Sequence, residues 1–563
     1  MPPPVSQYFL QRWHTTPLPR LIDELAELCP DRPMVSLPWD NDHPVKGYRD
    51  YSIAEFAAAV NRAAWWIELQ LGRAPTPFTT LHYVAPQDLS YFILTLAAVK
   101  TGYKTLTCHP SADVDTHLSL MEHTDCHLLL YPPCPNTAAI RKVNSIRALK
   151  SGLTALVTPT LDDWLSSTSP PVYPFPHDLA SILHDPFTVI HSSASTGPAK
   201  PILFTHATVC LQPLGFGKIR DPSHVNYERW RGQRVGVLTP LSIAAGLFPF
   251  LAMNFCFDLT LVLPATSGPM SATLMDHLLV HGNVSACILG PKTLPDTCAN
   301  PTYLSNLRRV RYLAIVGAPC QPYLAPLITA HAQITHIYGS SESGTLPAEV
   351  LPDPDDWAYL KLSPEVPHEY RPVCQSYHEL VLLRRPHGAA QPVFAMFRDQ
   401  DEYPMGDLFA PHPTRPDCWR YCGRRNDLIG SEQGLFLPRD MEWVLEAHPA
   451  VRWALICEER RGGLALLLDL IPDALEKGHA HDENIWDTLL PLIERANALC
   501  PIPAAIRREL VLFTDSVRPL PLSVKGNPQR VRSRELYRAD IERVFGCADR
   551  EGGVGMPLPS PSP

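Results

Sequence analysis

An α/β fold, with a large N-terminal domain of mainly parallel sheets and a small, mobile C-terminal α/β domain, is predicted by three features of this chain. Short apolar runs alternate with helical apolar spacing over 81–110, and the alternation recurs over 115–131, 271–289 and 322–338, as in strands joined by crossover helices. At 563 residues, 45% of them hydrophobic and 19% charged, the chain is longer than one ordinary domain and has the composition of a globular core. After Arg424-Arg-Asn-Asp427 the pattern changes to a shorter α/β unit. In open sheets of this class, ligands collect at the carboxyl ends of the strands.

Within 81–110 an apolar start leads into the turn Pro86-Gln-Asp88, a helix from Tyr91 to Val99 and a strand at Thr105-Leu-Thr107. The run Leu241 to Ala265 is apolar enough to suggest a membrane span, but Pro249, Asn254 and Asp258 interrupt it. It therefore predicts a buried helix followed by the strand Leu259-Thr-Leu-Val-Leu263. Beyond residue 425, Met441 to Ala447 and Ile485 to Leu499 read as helices, with strands at Trp453-Ala-Leu-Ile456 and Leu464 to Asp469. The expected division is a large domain over 1–425, a small lid domain over 426–545 and a disordered tail over 546–563, which ends rich in Gly, Pro and Ser.

A formal charge of −9 without a long basic run argues against nucleic acid or an anionic membrane as a partner. Fifteen dispersed cysteines without a CxxC pair suggest reduced thiols. The N-terminus lacks a basic region followed by an apolar core, and the C-terminus lacks a peroxisomal tripeptide, so a cytoplasmic location is expected.

The strongest chemical signal is His191-Ser-Ser-Ala-Ser-Thr-Gly-Pro-Ala-Lys200, which follows the strand-like run Phe187-Thr-Val-Ile190. A loop there would offer backbone N–H groups, hydroxyls and the Lys200 charge to anionic oxygens, which is what a polyphosphate needs. It is not a Walker A loop, because Lys200 is followed by Pro201-Ile-Leu-Phe204 rather than by Ser or Thr and a helix. Four further segments stand in a fixed order: Val316-Gly-Ala-Pro-Cys320, Tyr338-Gly-Ser-Ser-Glu342, Gly406-Asp-Leu-Phe409 with Trp419-Arg-Tyr-Cys-Gly-Arg-Arg-Asn-Asp427, and Ser523-Val-Lys-Gly-Asn-Pro-Gln-Arg530.

Together the five segments, over about 50–537, resemble those of the adenylate-forming superfamily of AMP-binding enzymes, and most of all fungal synthetase-like and carboxylic acid reductase-like adenylation modules. The resemblance implies ATP and Mg²⁺ as cofactors and a carboxylic acid as substrate. Its implied phosphate-loop residues are Ser192, Ser195, Thr196, Gly197 and Lys200. Gly317, Ala318, Tyr338 and Gly339 would lie against adenine, with Ser341 beside the phosphates and Glu342 on the metal. Asp407 and Arg424, with Tyr421, would hold the ribose, and Lys525 would be the catalytic lysine. These residue types suit the chemistry, since attack of a carboxylate on the α-phosphorus builds negative charge that a lysine, hydroxyls and a cation stabilise. No general base is needed, because the nucleophile is already ionised at pH 7.

Some positions depart from the family pattern. Ala194 and Ala199 replace glycine and proline in the loop, and Asn426 replaces the hinge aspartate. In Pro240-Leu-Ser-Ile-Ala-Ala-Gly246, Ile243 stands where many relatives have histidine and amino-acid-activating domains have aspartate nearby. An isoleucine cannot pair with an α-ammonium, which favours an aryl, keto or aliphatic acid over a free α-amino acid. No carrier segment follows the lysine motif, so the acyl-AMP is expected to pass to a separate acceptor, either CoA, a carrier protein in trans or a free nucleophile, in secondary metabolism. An acyl-CoA synthetase and a nucleotide-binding subunit without turnover remain the competing readings.

Overall fold

Three sheets build the larger part of the molecule in the computed structural model, which describes residues 5–134, 137–192, 199–217, 226–266, 270–374, 376–385, 391–431, 434–460, 462–471, 483–515, 517–523 and 526–551. The first has seven strands in the spatial order Gln333–Ile337, Tyr312–Val316, Ala286–Leu289, Arg234–Leu238, Thr260–Val262, Pro33–Pro38 and Tyr48–Ser52. All neighbours are parallel except the last pair. The second runs Thr154–Val157, Leu128–Tyr131, Thr80–Tyr83, Lys104–Thr107, Pro186–His191 and Pro201–Thr205, again parallel until its final pair.

Helices connect these strands as the alternation predicts, with Ser90–Lys100 between Thr80–Tyr83 and Lys104–Thr107. Every residue of that helix is buried, and it is apolar on nearly every side, as a helix without a solvent face must be. Its terminal lysine is accommodated by pairing, with Lys100 Nζ 2.5 Å from Asp23 Oδ2 and 2.6 Å from Asn61 Oδ1. The preceding helix Ile53–Leu71 starts at a reciprocal cap in which Ser52 and Glu55 each bond the other's backbone N–H, which fixes the helix start in sequence.

The third sheet is antiparallel throughout, in the order Tyr359–Leu360, Trp419–Arg424, Glu402–Pro411, Tyr377–Leu383 and His368–Cys374. Strand–helix alternation does not foresee it. After it comes a unit with strands Val451–Arg460, Gly463–Leu470 and Ala505–Phe513 and helices Arg439–Glu446, Glu483–Asn497 and Arg538–Glu551. Arg420 of the antiparallel sheet ties the two parts, donating through both terminal nitrogens to Asp440 at 3.0 Å.

Two expectations need adjustment. The apolar run from Leu241 is helical over Ala244–Phe248 and Asn254–Cys256, but Pro249–Met253 between them is a π turn, where Pro249 lacks the N–H that would continue an α ladder. The final helix Arg538–Glu551 carries the chain past residue 546, into the segment expected to be disordered, and residues 552–563 lie outside the described ones. Among the described residues, no helix is long and apolar enough to cross a membrane.

A buried histidine pair gives the fold a pH dependence. His82 Nδ1–H donates to the Leu106 carbonyl at 2.9 Å, and His117 Nδ1–H donates to His82 Nε2 at 2.8 Å. Burial pushes His82 down to about 4 and, with the neighbouring His82, pushes His117 down to about 2. The unfolded chain therefore takes up protons below the ordinary imidazole value near 6.5 that the folded chain refuses. Stability is full above that value and falls as the pH drops from 6.5 toward 4. The expected result is a melting temperature that declines over this window and declines less steeply in His117→Leu; parallel curves for the two proteins would assign the acid sensitivity elsewhere.

Candidate active site

The carboxyl ends of the strands Tyr312–Val316 and Gln333–Ile337 face the antiparallel sheet across a cavity of about 510 Å³. Gly317 and Ala318 leave the first strand there, and Gly317 turns the chain at φ +85°. Tyr338, Gly339, Ser341 and Glu342 leave the second. From the hairpin Pro186–His191/Pro201–Thr205 come Ser192 and Lys200. Its loop is pinned at the root, where Ser192 N–H donates to the Lys200 carbonyl at 3.0 Å and Lys200 N–H to Ser192 Oγ at 3.1 Å. Asp407, Tyr421 and Arg424 complete the wall from the antiparallel sheet. The cavity thus brings together every described residue to which the resemblance gives a nucleotide or metal role. Ser195, Thr196, Gly197 and Lys525 lie outside the described residues, as does Ala194.

The segment after Tyr338 is a two-residue strand pair, Gly339–Ser340 against Gly344–Thr345. Ser340 and Ser343 close its turn, with Ser340 Oγ accepting from the Glu342 and Ser343 N–H groups and Ser343 Oγ accepting from Ser340 N–H. Ser341 and Glu342 are left at the tip, lining the cavity. No side chain fits at 339, because a Cβ there would stand 1.9 Å from the Gly344 carbonyl oxygen, which is backbone and cannot swing away. Gly339→Ala is therefore expected to break this pair and destabilise the protein by about 2 kcal/mol or more. A melting curve checks it, and a native melting temperature would show that the turn relaxes without cost.

Asp407 and Arg424 oppose each other in the antiparallel register. The carboxylate is buried, accepts from Tyr338 Oη at 2.8 Å through Oδ2, and has Arg424 Nε 2.8 Å from Oδ1. Burial, and then the Asp407 charge, push the Tyr338 phenol well above its ordinary value. Burial opposes the charge on Arg424, but Asp407 and the other acidic groups around it, Glu342 among them, together outweigh it, so the guanidinium is held protonated. The rings of Tyr338 and Tyr421 both meet Phe409 edge-on, at 5.4 and 5.7 Å, which fixes two flat aromatic surfaces beside the carboxylate.

Glu342 lies near enough to Arg424 for its charge to help hold that guanidinium protonated, and Arg424 itself pairs directly with Asp407. A hard carboxylate oxygen beside a hydroxyl, at the edge of a cavity that already holds Lys200, is a donor set that fits Mg²⁺. Sequence reasoning misses Trp357, Tyr403 and Trp443, which also line the cavity. Trp443 comes from the helix Arg439–Glu446 beyond the third sheet, and a single tryptophan on a helix carries no motif to reveal it.

A second cavity of about 60 Å³ adjoins the first and shares Gly317, Ile337, Gly339, Ser340 and Ser341 with it. Ile243, Ala244, Phe248, His109 and His191 line its other sides. Cys418 and Cys422 are buried free thiols.

The sequence matches the model of the AMP-binding enzyme family over residues 22–369 and that of the AMP-binding enzyme C-terminal domain over residues 428–549. It is 26% identical over 537 residues to an isocyanide synthase-NRPS hybrid of Aspergillus fumigatus, covering 94% of this chain and 33% of that protein. It is 25% identical over 549 residues to a carboxylic acid reductase of Neurospora crassa, covering 95% of this chain and 51% of that protein. The chain thus spans about half or less of the length of these relatives. Among solved structures, a benzoate CoA ligase from Burkholderia xenovorans superposes with a TM-score of 0.66 at 15% identity, covering 92% of this chain and 99% of that one. The O-succinylbenzoate CoA synthetase of Bacillus subtilis in complex with ATP and magnesium ion gives 0.65 at 15% identity, covering 92% and 100%.

Proposed function

The chain belongs to the AMP-binding enzyme family, a family of acid-activating, adenylate-forming enzymes, and from that premise we propose that it converts a carboxylic acid without an α-ammonium group, and ATP, into acyl-AMP and pyrophosphate. The observation that carries this reading is the convergence of Lys200, Tyr338, Glu342, Asp407 and Arg424, from four separate segments, on one cavity of about 510 Å³. At roughly 10–15 Å³ per water-sized group, that volume suits the thirty-odd heavy atoms of a nucleoside triphosphate.

In this reading Asp407 accepts both ribose hydroxyls, with Arg424 holding the carboxylate in place and Tyr338 presenting its ring to the base. Lys200 and Ser192 meet the phosphates. A carboxylate oxygen attacks the α-phosphorus, the bond to the β-phosphate oxygen breaks, and pyrophosphate leaves with its electron pair. Bound Mg²⁺ on Glu342 would neutralise phosphate charge during this step. Lys525 stabilises the charge on the reacting phosphate. The acyl group then passes to a separate acceptor, CoA, a carrier thiol in trans or a free amine, in secondary metabolism.

The test is hydroxylamine trapping with pyrophosphate release across aryl, keto, aliphatic and amino acids. Signal from at least one acid is expected, and CoA consumption in the same assay separates the acceptors. Silence with ATP bound would favour a nucleotide-binding subunit without turnover.

Residues 426–545 would act as a lid that turns about Asn426 between the two half-reactions. Asn426 lies in the single turn Arg425–Asp427, directly after the strand that carries Arg424. Proline there fixes its own φ and restricts Arg425. Asn426→Pro is expected to lower steady-state turnover about tenfold or more while ATP still binds; unchanged turnover would remove alternation from the mechanism.

A further inference from the structure

His82, Cys108 and His117 meet in the core beside the second sheet, and we propose that together they bind one soft d10 metal ion, Zn²⁺ or Cu⁺, at a site separate from the nucleotide cavity. One ligating atom of each lies within 4.8 Å of the other two, and the residues are only 0%, 3% and 2% exposed.

Three separate elements deliver them. His82 lies in the strand Thr80–Tyr83, opposite Leu106 of the parallel strand Lys104–Thr107. Cys108 follows two positions after Leu106, so the alternation of side chains along a strand puts the thiol on the same side of the sheet as His82. His117 comes from the helix Val114–His123, whose start is fixed by Asp113 Oδ1 accepting from Thr116 N–H at 2.8 Å. Its ring centre stands 5.1 Å from that of His82.

The surroundings are apolar. Cys108 packs in one cluster with Leu106, Leu120, Met121, Val143 and Ile146, where aliphatic side chains would cost nothing and two imidazoles must be satisfied. They are satisfied only in part. His82 Nδ1–H is committed to the Leu106 carbonyl and His82 Nε2 accepts from His117 Nδ1–H, which leaves His117 Nε2 buried with no hydrogen bond among the described residues. An unmet polar atom in such a place costs about 1–3 kcal/mol. A metal ion would use these lone pairs, and His117 can ligate through either nitrogen because its ring proton can sit on the other. The Leu106 carbonyl already sets the His82 tautomer, as the outer partners of metal-bound histidines do.

Bonds of about 2.0–2.1 Å to nitrogen and about 2.3 Å to sulfur, at a tetrahedral angle, put ligand atoms about 3.3–3.6 Å apart. The imidazoles need to open by roughly half an ångström from their 2.8 Å contact. As the ion binds, the Cys108 thiol proton leaves to solvent. The hydrogen bond between the imidazoles, and the acid response derived from it, belong to the metal-free chain. With no carboxylate among the three ligands, Mg²⁺ and Ca²⁺ are disfavoured, whereas thiolate and imidazole suit Zn²⁺ and Cu⁺. Cu⁺ on one thiolate leaves the site neutral, and Zn²⁺ leaves a single positive charge.

The test strips the full chain with a chelator under reducing conditions, incubates it with Zn²⁺ or Cu⁺, desalts it and measures bound metal, with Co²⁺ as a spectroscopic probe. About one equivalent of at least one ion should stay bound and raise the melting temperature, and Co²⁺ should show a thiolate charge-transfer band. Cys108→Ser should remove that band and weaken binding about 100-fold or more, and His117→Gln should weaken it too. Cys126→Ser is the control, because that thiol donates instead to the Thr80 and Leu128 carbonyls, and it should bind as the wild type does. Retention of neither ion by the wild-type protein, with an unchanged melting temperature, would overturn the site. So would wild-type retention in Cys108→Ser and His117→Gln, which would put the ion on other thiols of the chain. Should Cys108→Ser fail to fold, the wild-type measurements and His117→Gln decide. Metal content and melting temperature report the site whatever the outcome for the nucleotide cavity.

Discussion

Asp407→Ala should weaken nucleotide binding by about two orders of magnitude or more on the proposed reading, in which both ribose hydroxyls donate to Asp407 and each hydrogen bond to a charged acceptor contributes about 1.5–3 kcal/mol. The same change breaks the carboxylate's bond from Tyr338 and its ion pair with Arg424. Removing one member of a fully buried pair costs about 3–5 kcal/mol, but the Arg424 side chain is 41% exposed and can recover water. The stability loss is therefore closer to 1–2 kcal/mol. Asp407→Asn keeps the volume and one acceptor, so it should restore most of the stability and little of the affinity. Calorimetry with ATP and melting curves on both variants separate the two effects. Native affinity in Asp407→Ala would place the ribose elsewhere.

The residues that converge on the cavity were legible because short motifs carried them, with a glycine beside each: Gly317 and Gly339 after strand ends, Gly406 in mid-strand and Gly423 near the end of its strand. The sheet that presents Asp407 and Arg424 was not. Its strand Tyr377–Leu383 buries four positions in a row, Glu402–Pro411 mixes buried and exposed positions irregularly, and their pairing is bulged, so neither a clean period of two nor a strand–helix rhythm marks them. In the C-terminal unit the expected strand Trp453–Ile456 extends over Val451–Arg460, because Glu458, Glu459 and Arg460 continue the pairing with Gly463–Leu470 after the apolar run has ended. The strand Ala505–Phe513 escaped notice for the same reason, with Arg507, Arg508 and Glu509 exposed in its middle at the sheet edge. The fully buried strand Gly463–Leu470 between them is the one whose sequence is apolar almost throughout. The turn that presents Ile243 to the smaller cavity depends on Gln87 meeting Ser242 across 155 positions, a pairing set by packing alone.

Lys525→Ala is expected to reduce acyl-AMP formation about 10²- to 10³-fold with ATP affinity changed only a few-fold, because the lysine would act on charge that develops as the phosphate reacts. Lys525 itself lies outside the described residues; the residues on either side of it are tied to one another by backbone hydrogen bonds. Gly526 N–H donates to the Ser523 carbonyl and Ser523 N–H to the Asn527 carbonyl, each at 2.7 Å, and Leu522 bridges to Pro528. Downstream, Arg530 donates to Glu442 at 2.7 Å and approaches Asp427 at 3.7 Å, linking the base of the loop to the turn that contains Asn426. Gly526, at φ +81°, packs against Lys292, which follows the strand Ala286–Leu289 of the first sheet. A second lysine close to the loop makes the variant discriminating. If Lys525 carries the charge, the alanine variant should lose pyrophosphate release yet still transfer the acyl group from supplied acyl-AMP to an acceptor at the wild-type rate. If pyrophosphate release survives, the stabilising charge belongs to Lys200 or Lys292 instead, and the corresponding alanine variants would then show the loss.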